Sequence, residues 1–315
     1  MTRVLHTSAF SALGTSCALA VSASPLELPS ARRAMRAAHA EVDACERALS
    51  RFDADSDLSR VNAAAGEWVT VGDRLLGALA AAVAMREATG GRCDPALLPA
   101  LAAAGYDRSY EDLDHRPAQP PPSDVARVEV DAANRRVRVG DRTAIDLGAT
   151  AKGWIAARAL AVMRDSWPQL PGAVVDLGGD VAVSGEPPGG GPWRIAVESP
   201  RTGATAGTIR LRGGGAATSG PIRRRFGPRG ALHHLIDPAT LRPARAGALA
   251  ATVVAADPVE ADAHATALAI APVDDAAAYV ARRPAIGAVV FSPDGGELVL
   301  GAIDFVPSDR EASAW

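Results

Sequence analysis

The amino-acid sequence predicts an α+β fold, because segments with helical periodicity are mixed with short strand-like segments, some of them arranged as hairpins. The clearest helical pattern places apolar residues from Met35 to Leu49 at spacings of three and four. The clearest hairpin alternates valines on both sides of Asp131-Ala132-Ala133-Asn134. This mixture favours α+β over a doubly wound parallel sheet.

Along the chain, helices are expected at 30–50 with Ser30 as a possible N-cap, at 73–89, from after Gly148 to about 164, at 258–271 and at 273–283. Strands are expected in the hairpin at 128–139 and at 173–175, 193–197, 207–211, 232–236, 249–255, 286–291 and 297–301.

The N-terminal segment admits two interpretations. Residues 9–21 are mostly small and apolar, so residues 1–23 resemble a weak signal peptide, which would make the protein exported. Two short strands around a turn at Gly14 explain the same segment. We favour the strands, and with them a cytoplasmic location.

Composition excludes several classes of protein. The 315 residues carry 33 basic and 36 acidic side chains, a net charge of -3, with 48% hydrophobic and 22% charged residues. These hydrophobic and charged fractions are typical of a folded globular protein. The near-neutral net charge gives no indication of a basic surface that would bind nucleic acid. No apolar run reaches the roughly 18 residues of a membrane span, so stable membrane insertion is not expected. Cys17, Cys45 and Cys93 are widely spaced, which disfavours a disulfide framework or a structural zinc site.

One basic residue stands out. Of the 33 basic residues, only Lys152 is a lysine. In so arginine-rich a chain, a lysine retained in Asp146-Leu147-Gly148-Ala149-Thr150-Ala151-Lys152-Gly153 indicates a chemical role. Chance survival of one surface lysine is the alternative.

Three further segments could contact an anion or transfer a proton. The strand Val175-Asp176-Leu177 ends in Gly178-Gly179-Asp180, where glycine amides could receive phosphate oxygens, although many tight turns look the same. Arg223-Arg224-Arg225 could meet an anion or form a solvated face. On a strand, His233 and His234 would point to opposite faces, one toward a site and the other toward solvent; either histidine could instead be structural.

A candidate cation site lies near the C-terminus. Asp262 and Thr266 are four residues apart, hence on one helix face. A carboxylate and a hydroxyl there could bind Mg²⁺, which prefers oxygen ligands. His264 points elsewhere. Such a pair is also common without any metal.

In this order, these segments resemble the ApbE family, the FAD:protein FMN transferases. The matching stretches are Leu13 to Thr15, Ser50 to Phe52 with Asp57 to Asn62, Gly91 to Pro95, Asp146 to Gly153, Asp176 to Asp180, Thr218 to Gly220, His234 to Pro238 and Ala261 to Thr266. They extend over nearly the whole chain.

The resemblance implies a single catalytic unit over residues 1–315 with T-fold-like mixed or antiparallel sheets and packed helices, containing a Pro-rich connector at 117–122 and a Pro/Gly loop at 186–192. It implies Mg²⁺-dependent transfer of FMN from FAD to a Thr or Ser hydroxyl of an acceptor protein, with release of AMP. His234 would be catalytic, and Ala149, Asp262 and Thr266 would bind the metal. The implied FAD-binding residues are Leu13, Phe52, Arg92, Cys93, Asp94, Asp146, Lys152, Gly178, Gly179 and Asp180.

Some positions depart from the family pattern. Leu13 replaces a usual Met and Phe52 a usual Tyr, Ala104 and Ala157 lie where Trp and Asp are common, Pro221-Ile222 replaces an acidic-Tyr pair, and Leu241 takes a glycine position. These changes concern flavin stacking and recognition of the acceptor. A pyrophosphatase that hydrolyses FAD to FMN and AMP, and a non-catalytic FAD-binding protein, are the alternative functions.

Overall fold

Antiparallel strands dominate the structure and confirm the predicted α+β class. A computed structural model of the protein describes residues 2–64, 66–113, 117–123, 128–245 and 247–308. The α-helices of this part of the chain are α1 (Leu28–Leu49), α2 (Asp57–Ala63), α3 (Asp73–Ala88), α4 (Leu98–Ala104), α5 (Ala151–Ser166), α6 (Pro258–Ile270) and α7 (Ala276–Ala281).

The strands up to the middle of the chain are β1 (Val4–Ala12), β2 (Thr15–Ala23), β3 (Val69–Thr70), β4 (Val128–Asp131), β5 (Arg136–Val139), β6 (Gly172–Leu177), β7 (Val181–Gly185), β8 (Trp193–Glu198), β9 (Thr205–Leu211) and β10 (Gly214–Ser219). The later strands are β11 (Arg225–Phe226), β12 (Leu232–His233), β13 (Ile236–Asp237), β14 (Arg242–Pro243), β15 (Ala250–Ala255), β16 (Gly287–Phe291), β17 (Glu297–Gly301) and β18 (Phe305–Pro307).

The main sheet has eight strands in the order β1-β2-β6-β7-β10-β15-β16-β17. The N-terminal segment forms a long hairpin, as the interpretation as strands predicts, and β2 pairs with β6 through Cys17 opposite Leu177. Leu19, Val21 and Ala23 of β2 are buried, so the hairpin is part of the core. The sheet therefore joins segments from both ends of the described chain.

Smaller sheets flank this sheet. The predicted hairpin at 128–139 is confirmed as β4 and β5, and β3 pairs with the outer side of β5. A second three-stranded sheet has the order β18-β9-β8. The Pro/Gly loop at 186–192 connects β7 to β8, and the connector at 117–122 lies in a described segment without helix or strand.

Helices α1, α5 and α6 form a layer against the main sheet. The apolar stripe of α1 is confirmed, since Ala38, Val42 and Cys45 are fully buried. Helix α1 packs on α5, α5 packs on α6, and α6 covers β10 and β15. The expectation for Ser30 is wrong, because α1 begins at Leu28, and Ser24 instead caps the short turn that precedes it.

Two other expectations need correction. The strand expected at 232–236 is broken: β12 ends at His233 and β13 begins at Ile236. The helix expected at 273–283 is α7, which begins only at Ala276 after a short 3₁₀ turn.

Cys17, Cys45 and Cys93 are buried free thiols. Across the described ranges, no helix has both the length and the apolar character needed to cross a bilayer.

Candidate active site

The tight turn between β6 and β7 forms one wall of the candidate site. Its two glycines have left-handed backbones, with φ of +75° at Gly178 and +98° at Gly179. A Cβ at Gly178 would lie 2.4 Å from Thr15 Oγ1, so glycine lets this turn pack against the start of β2. The Gly179 amide donates to Asp176 Oδ1 at 2.8 Å. This amide is therefore already hydrogen-bonded within the protein. A Cβ at Gly179, by contrast, would have no described atom within 4 Å.

Lys152 points into the protein from the first turn of α5. Its ammonium forms an ion pair with Asp180, whose side chain is 2% exposed. Burial lowers the pKa of Lys152, Asp262 and Asp176 oppose this change, and Arg224 adds to it. The lone lysine is therefore part of a cluster of buried charges rather than a surface residue.

His234 lies at the break between β12 and β13. Burial, reinforced by the charges of Arg224 and Lys152, lowers the pKa of His234 to about 3, so its imidazole is neutral at neutral pH. The backbone of Arg224 lies beside the ring and partly opposes this lowering of the pKa. Its Nδ1 is buried and has no hydrogen-bond partner among the described residues. A buried, neutral and unpaired ring nitrogen can accept a proton or a hydrogen bond from a ligand.

The neighbouring His233 has a structural role. Its Nε2 donates to the Ala244 carbonyl at 2.9 Å, and its Nδ1 accepts from the Leu235 amide at 3.3 Å. His233 is 8% exposed, so the expectation that one of the two histidines faces solvent is wrong. The chain bends at His234, and both rings turn inward from a broken strand.

Asp262 and Thr266 share one face of α6, as their spacing predicts, but this face is buried. The two residues are 1% and 5% exposed. The Gly153 amide donates to Asp262 Oδ2 at 3.0 Å, and Thr266 Oγ1 lies 3.0 Å from Ser219 Oγ. A Cβ at Gly153 would lie 2.4 Å from the Pro258 carbonyl oxygen. Glycine therefore allows α5 to approach α6 and Asp262 closely.

The residues proposed as metal ligands fit a hard cation. Cys93 Sγ lies 3.7 Å from the Ala149 carbonyl oxygen. Burial, together with the charges of Asp262 and Asp94, raises the pKa of the Cys93 thiol. The Gly153 amide that donates to Asp262 lies only four residues after Ala149, in the first turn of α5. Burial also raises the pKa of Asp262, despite the opposing charge of Lys152. This buried carboxylate therefore lacks sufficient positive charge around it.

A carboxylate, a hydroxyl and a backbone carbonyl are ligands of the type that Mg²⁺ takes. Within the described ranges, no group of three or more His, Cys, Asp or Glu side chains is arranged to hold a metal. A cation at this position would therefore depend on the Thr266 hydroxyl and the Ala149 carbonyl besides Asp262.

Two of the predicted FAD-binding residues, Phe52 and Asp146, meet at an aromatic and cationic cluster. Asp146 pairs with Arg51 Nε at 2.8 Å. The Arg51 guanidinium lies 4.4 Å from the Phe52 ring centre and 4.6 Å from that of Tyr106. Phe52 is 47% exposed, so its ring is accessible to a flat ligand. Leu13 has a left-handed backbone, with φ of +56°.

The side chains of residues 92–94 have different partners. Arg92 extends toward the start of α7, where it lies 3.7 Å from Asp275, rather than toward Lys152. Asp94 accepts from Arg86 Nε at 2.5 Å and from the Ala96 amide at 2.9 Å. Cys93 alone of the three contacts the Ala149 carbonyl. The structure thus links this segment to the candidate cation site through the thiol.

Two further participants, Ser219 and Arg224, are not among the predicted site residues. Ser219 is bonded to Thr266 across 47 residues of sequence, and only its place in the Thr218-Ser219-Gly220 match singles it out. Arg224 bonds to Gly14 and Tyr106, but in the sequence it cannot be distinguished from Arg223.

Comparisons with known proteins agree with this arrangement. The ApbE family model matches residues 13–290. The FAD:protein FMN transferase of Treponema pallidum is 31% identical over 270 residues, which are 79% of this chain and 74% of that protein. The FAD:protein FMN transferase of Rhodobacter capsulatus is 38% identical over 157 residues, but these are 49% of this chain and only 29% of that protein.

Solved structures have the same fold. The ApbE protein of Thermotoga maritima aligns with a TM-score of 0.82 and 28% identity, covering 94% of this chain and 97% of that one. The apo flavinyl transferase ApbE of Pseudomonas stutzeri aligns with a TM-score of 0.78 at 22% identity, covering 95% of this chain and 96% of that one. The predicted resemblance and fold class are confirmed: the chain belongs to the ApbE family.

Proposed function

We propose that this protein is a flavin transferase that moves the FMN moiety of FAD to a Thr or Ser hydroxyl of an acceptor protein and releases AMP. One observation carries the proposal: the Lys152–Asp180 pair and the Asp262–Thr266 face meet at the first turn of α5, and the charge of Lys152 acts on the buried ring of His234. The names of its relatives support the same activity.

The proposed metal is Mg²⁺. The Ala149 carbonyl, the Asp262 carboxylate and the Thr266 hydroxyl would hold it. A bound divalent cation supplies positive charge to the pyrophosphate oxygens of the substrate. The buried position of Asp262 supports this assignment, because an ionised carboxylate there requires a compensating cation.

In the proposed reaction, the acceptor hydroxyl oxygen attacks the FMN phosphorus and forms the new phosphoester bond. The bond between that phosphorus and the oxygen that bridges to AMP breaks, and AMP leaves with the electron pair. His234 takes the hydroxyl proton on its neutral imidazole. Although its pKa is about 3 in the free protein, bound phosphates would add negative charge that raises it.

We also propose that residues 1–315 act as one catalytic unit in the cytoplasm. The burial of β2 and its pairing with β6 support an active form that retains residues 4–23. The Leu13–Thr15 turn is part of that segment and borders the Gly178 turn.

One experiment separates the proposed function from its alternatives. The purified protein is incubated with FAD and Mg²⁺, with and without an acceptor domain that carries a Thr or Ser flavinylation motif, and the products are analysed by mass spectrometry. A covalently FMN-labelled acceptor is the expected result. Free FMN with AMP in both samples would indicate a pyrophosphatase, and unchanged FAD would indicate a binding protein.

A further inference from the structure

The run of three arginines after β10 is divided by the fold. Arg223 points outward, with its side chain 72% exposed, and pairs with Glu198. Arg225 is also exposed and donates to the Gly230 carbonyl at 3.3 Å. Arg224, between them, is half-buried. Arg223 and Arg224 lie in bends that precede β11, so the local course of the chain, rather than strand alternation, accounts for this division.

Among the described residues, the guanidinium of Arg224 is hydrogen-bonded only to neutral oxygens. It donates to the Tyr106 hydroxyl at 3.3 Å and to the Gly14 carbonyl at 3.4 Å. These bonds are long for N–H···O bonds, and they use two of the five N–H donors of a guanidinium. Within the part of the chain that the structure describes, no carboxylate forms an ion pair with Arg224.

The other cations around the site are neutralised by the protein. Lys152 pairs with Asp180, and Arg51 pairs with Asp146. The charge of Arg224 is the exception, and it acts on the site directly, since it lowers the pKa of both His234 and Lys152. The Arg224 backbone also lies beside the His234 ring. An uncompensated, partly buried cation therefore lies beside the proposed base.

We propose that Arg224 binds a phosphate group of FAD and holds the pyrophosphate next to His234. This inference rests on the proposed function and deepens it, because it adds a substrate-binding residue. A planar guanidinium with unused donors forms paired, charge-assisted hydrogen bonds to phosphate oxygens. The contacts to Gly14 and Tyr106 hold the side chain in place before the substrate arrives.

The test is isothermal titration of FAD, ADP and riboflavin into wild-type protein and three variants. Arg224→Gln should weaken FAD and ADP about 10- to 100-fold, as expected for losing hydrogen bonds to a charged group. Riboflavin, which has no phosphate, should bind as in the wild type. Arg224→Lys keeps the charge but loses the planar fork, so its affinities should be intermediate. The matched control Arg223→Gln should change none of them.

The other outcomes are equally informative. Unchanged FAD and ADP affinities in Arg224→Gln would overturn the proposal, as would an equal loss of riboflavin, which would mean that Arg224 only shapes the flavin pocket. If Arg224→Gln fails to fold, wild-type affinities in Arg224→Lys would overturn the proposal, and intermediate ones would support it. Wild-type protein that binds FAD but labels no acceptor would contradict the proposed function alone. Wild-type protein that binds neither FAD nor ADP would contradict both.

Discussion

Lys152 and Asp180 form an ion pair between the first turn of α5 and the turn that follows β6, with Asp180 almost completely buried. The pair thereby joins two elements of the candidate site that lie more than twenty residues apart in the sequence. Removing one partner of a buried pair leaves an uncompensated charge, whereas removing both leaves none.

Lys152→Met should therefore lower the free energy of unfolding by about 3–5 kcal/mol, and the double variant Lys152→Met/Asp180→Asn should recover most of this loss. Denaturant unfolding at pH 7 measures both. Arg223→Gln, which breaks the exposed pair with Glu198, is the control and should have little effect. Equal losses in the single and double variants would show that the pair does not stabilise the fold.

His234→Ala should slow flavin transfer by about 10²–10⁴-fold, the usual contribution of general-base catalysis, while FAD still binds. Transfer rate at saturating FAD and FAD affinity are measured together. His233→Ala should instead lower the stability, because His233 bonds to Ala244 and Leu235. Lost affinity with an unchanged rate would make His234 a binding residue, and Asp180 and Asp237 would be the next candidates for the base.

The pH dependence of transfer follows from the same environment. Because the pKa of His234 is about 3 in the free protein, the acid limb of kcat/KM should lie well below pH 6.5, the ordinary value for histidine. Values of kcat/KM measured from pH 5 to 8 at subsaturating FAD test this, because they report the free protein. A half-maximal rate near pH 6.5 would contradict the buried, neutral state of the ring.

The free energy of unfolding should also depend on pH through His234. Between pH 6.5 and about 3, the unfolded His234 binds a proton that the folded one does not, so the free energy of unfolding falls as the pH falls. The slope is up to about 1.4 kcal/mol per pH unit for each such histidine. His234→Gln should reduce the slope measured by denaturant unfolding at pH 5 and 7.

Mg²⁺ should stabilise the wild-type protein through Asp262. Thermal unfolding with and without Mg²⁺ should show a rise in Tm for the wild type and none for Asp262→Asn, which keeps the volume but removes the charge. Turnover should collapse in the same variant. Glu260→Gln, an acidic residue in the first turn of α6, is the matched control. A normal Mg²⁺ response in Asp262→Asn would remove this residue from the proposed ligands.

Asp262→Ala will also affect folding. The spacing of Asp262 and Thr266 predicts a polar helix face and hence a stability change below about 1 kcal/mol. In the structure, Asp262 is 1% exposed and accepts the Gly153 amide, so its removal leaves a buried donor unpaired. A cost of about 1–3 kcal/mol is expected without Mg²⁺, and denaturant unfolding of the metal-free protein measures it.

The cytoplasmic location is tested at the N-terminus. Cleavage near Ala23 would remove β1 and β2, and with them the Leu13–Thr15 turn that packs against Gly178. Mass spectrometry of the protein from its native host should therefore find residues 4–23 present. A mature start near Ser24 would contradict the proposed location and require the main sheet to form without these strands.

Much of the fold was determined by the sequence itself. The valine alternation around 131–134 determines a hairpin, the stripe from Ala38 to Leu49 determines a buried helix face, and the spacing of Asp262 and Thr266 places them on one side of a helix. These relationships are local, because they follow from the periodicity of a strand or a helix. The order of short motifs likewise identified the ApbE family without any coordinates.

The tertiary structure alone determined which of the similar residues belong to the site. Arg224 turns inward while Arg223 and Arg225 remain exposed, His234 has an unpaired nitrogen while His233 is bonded on both sides, and the Asp262 face is buried rather than solvated. Desolvation and charge compensation depend on atoms brought together from segments far apart in the chain. Neighbouring residues of the same type therefore acquire different chemistry only when the chain has folded.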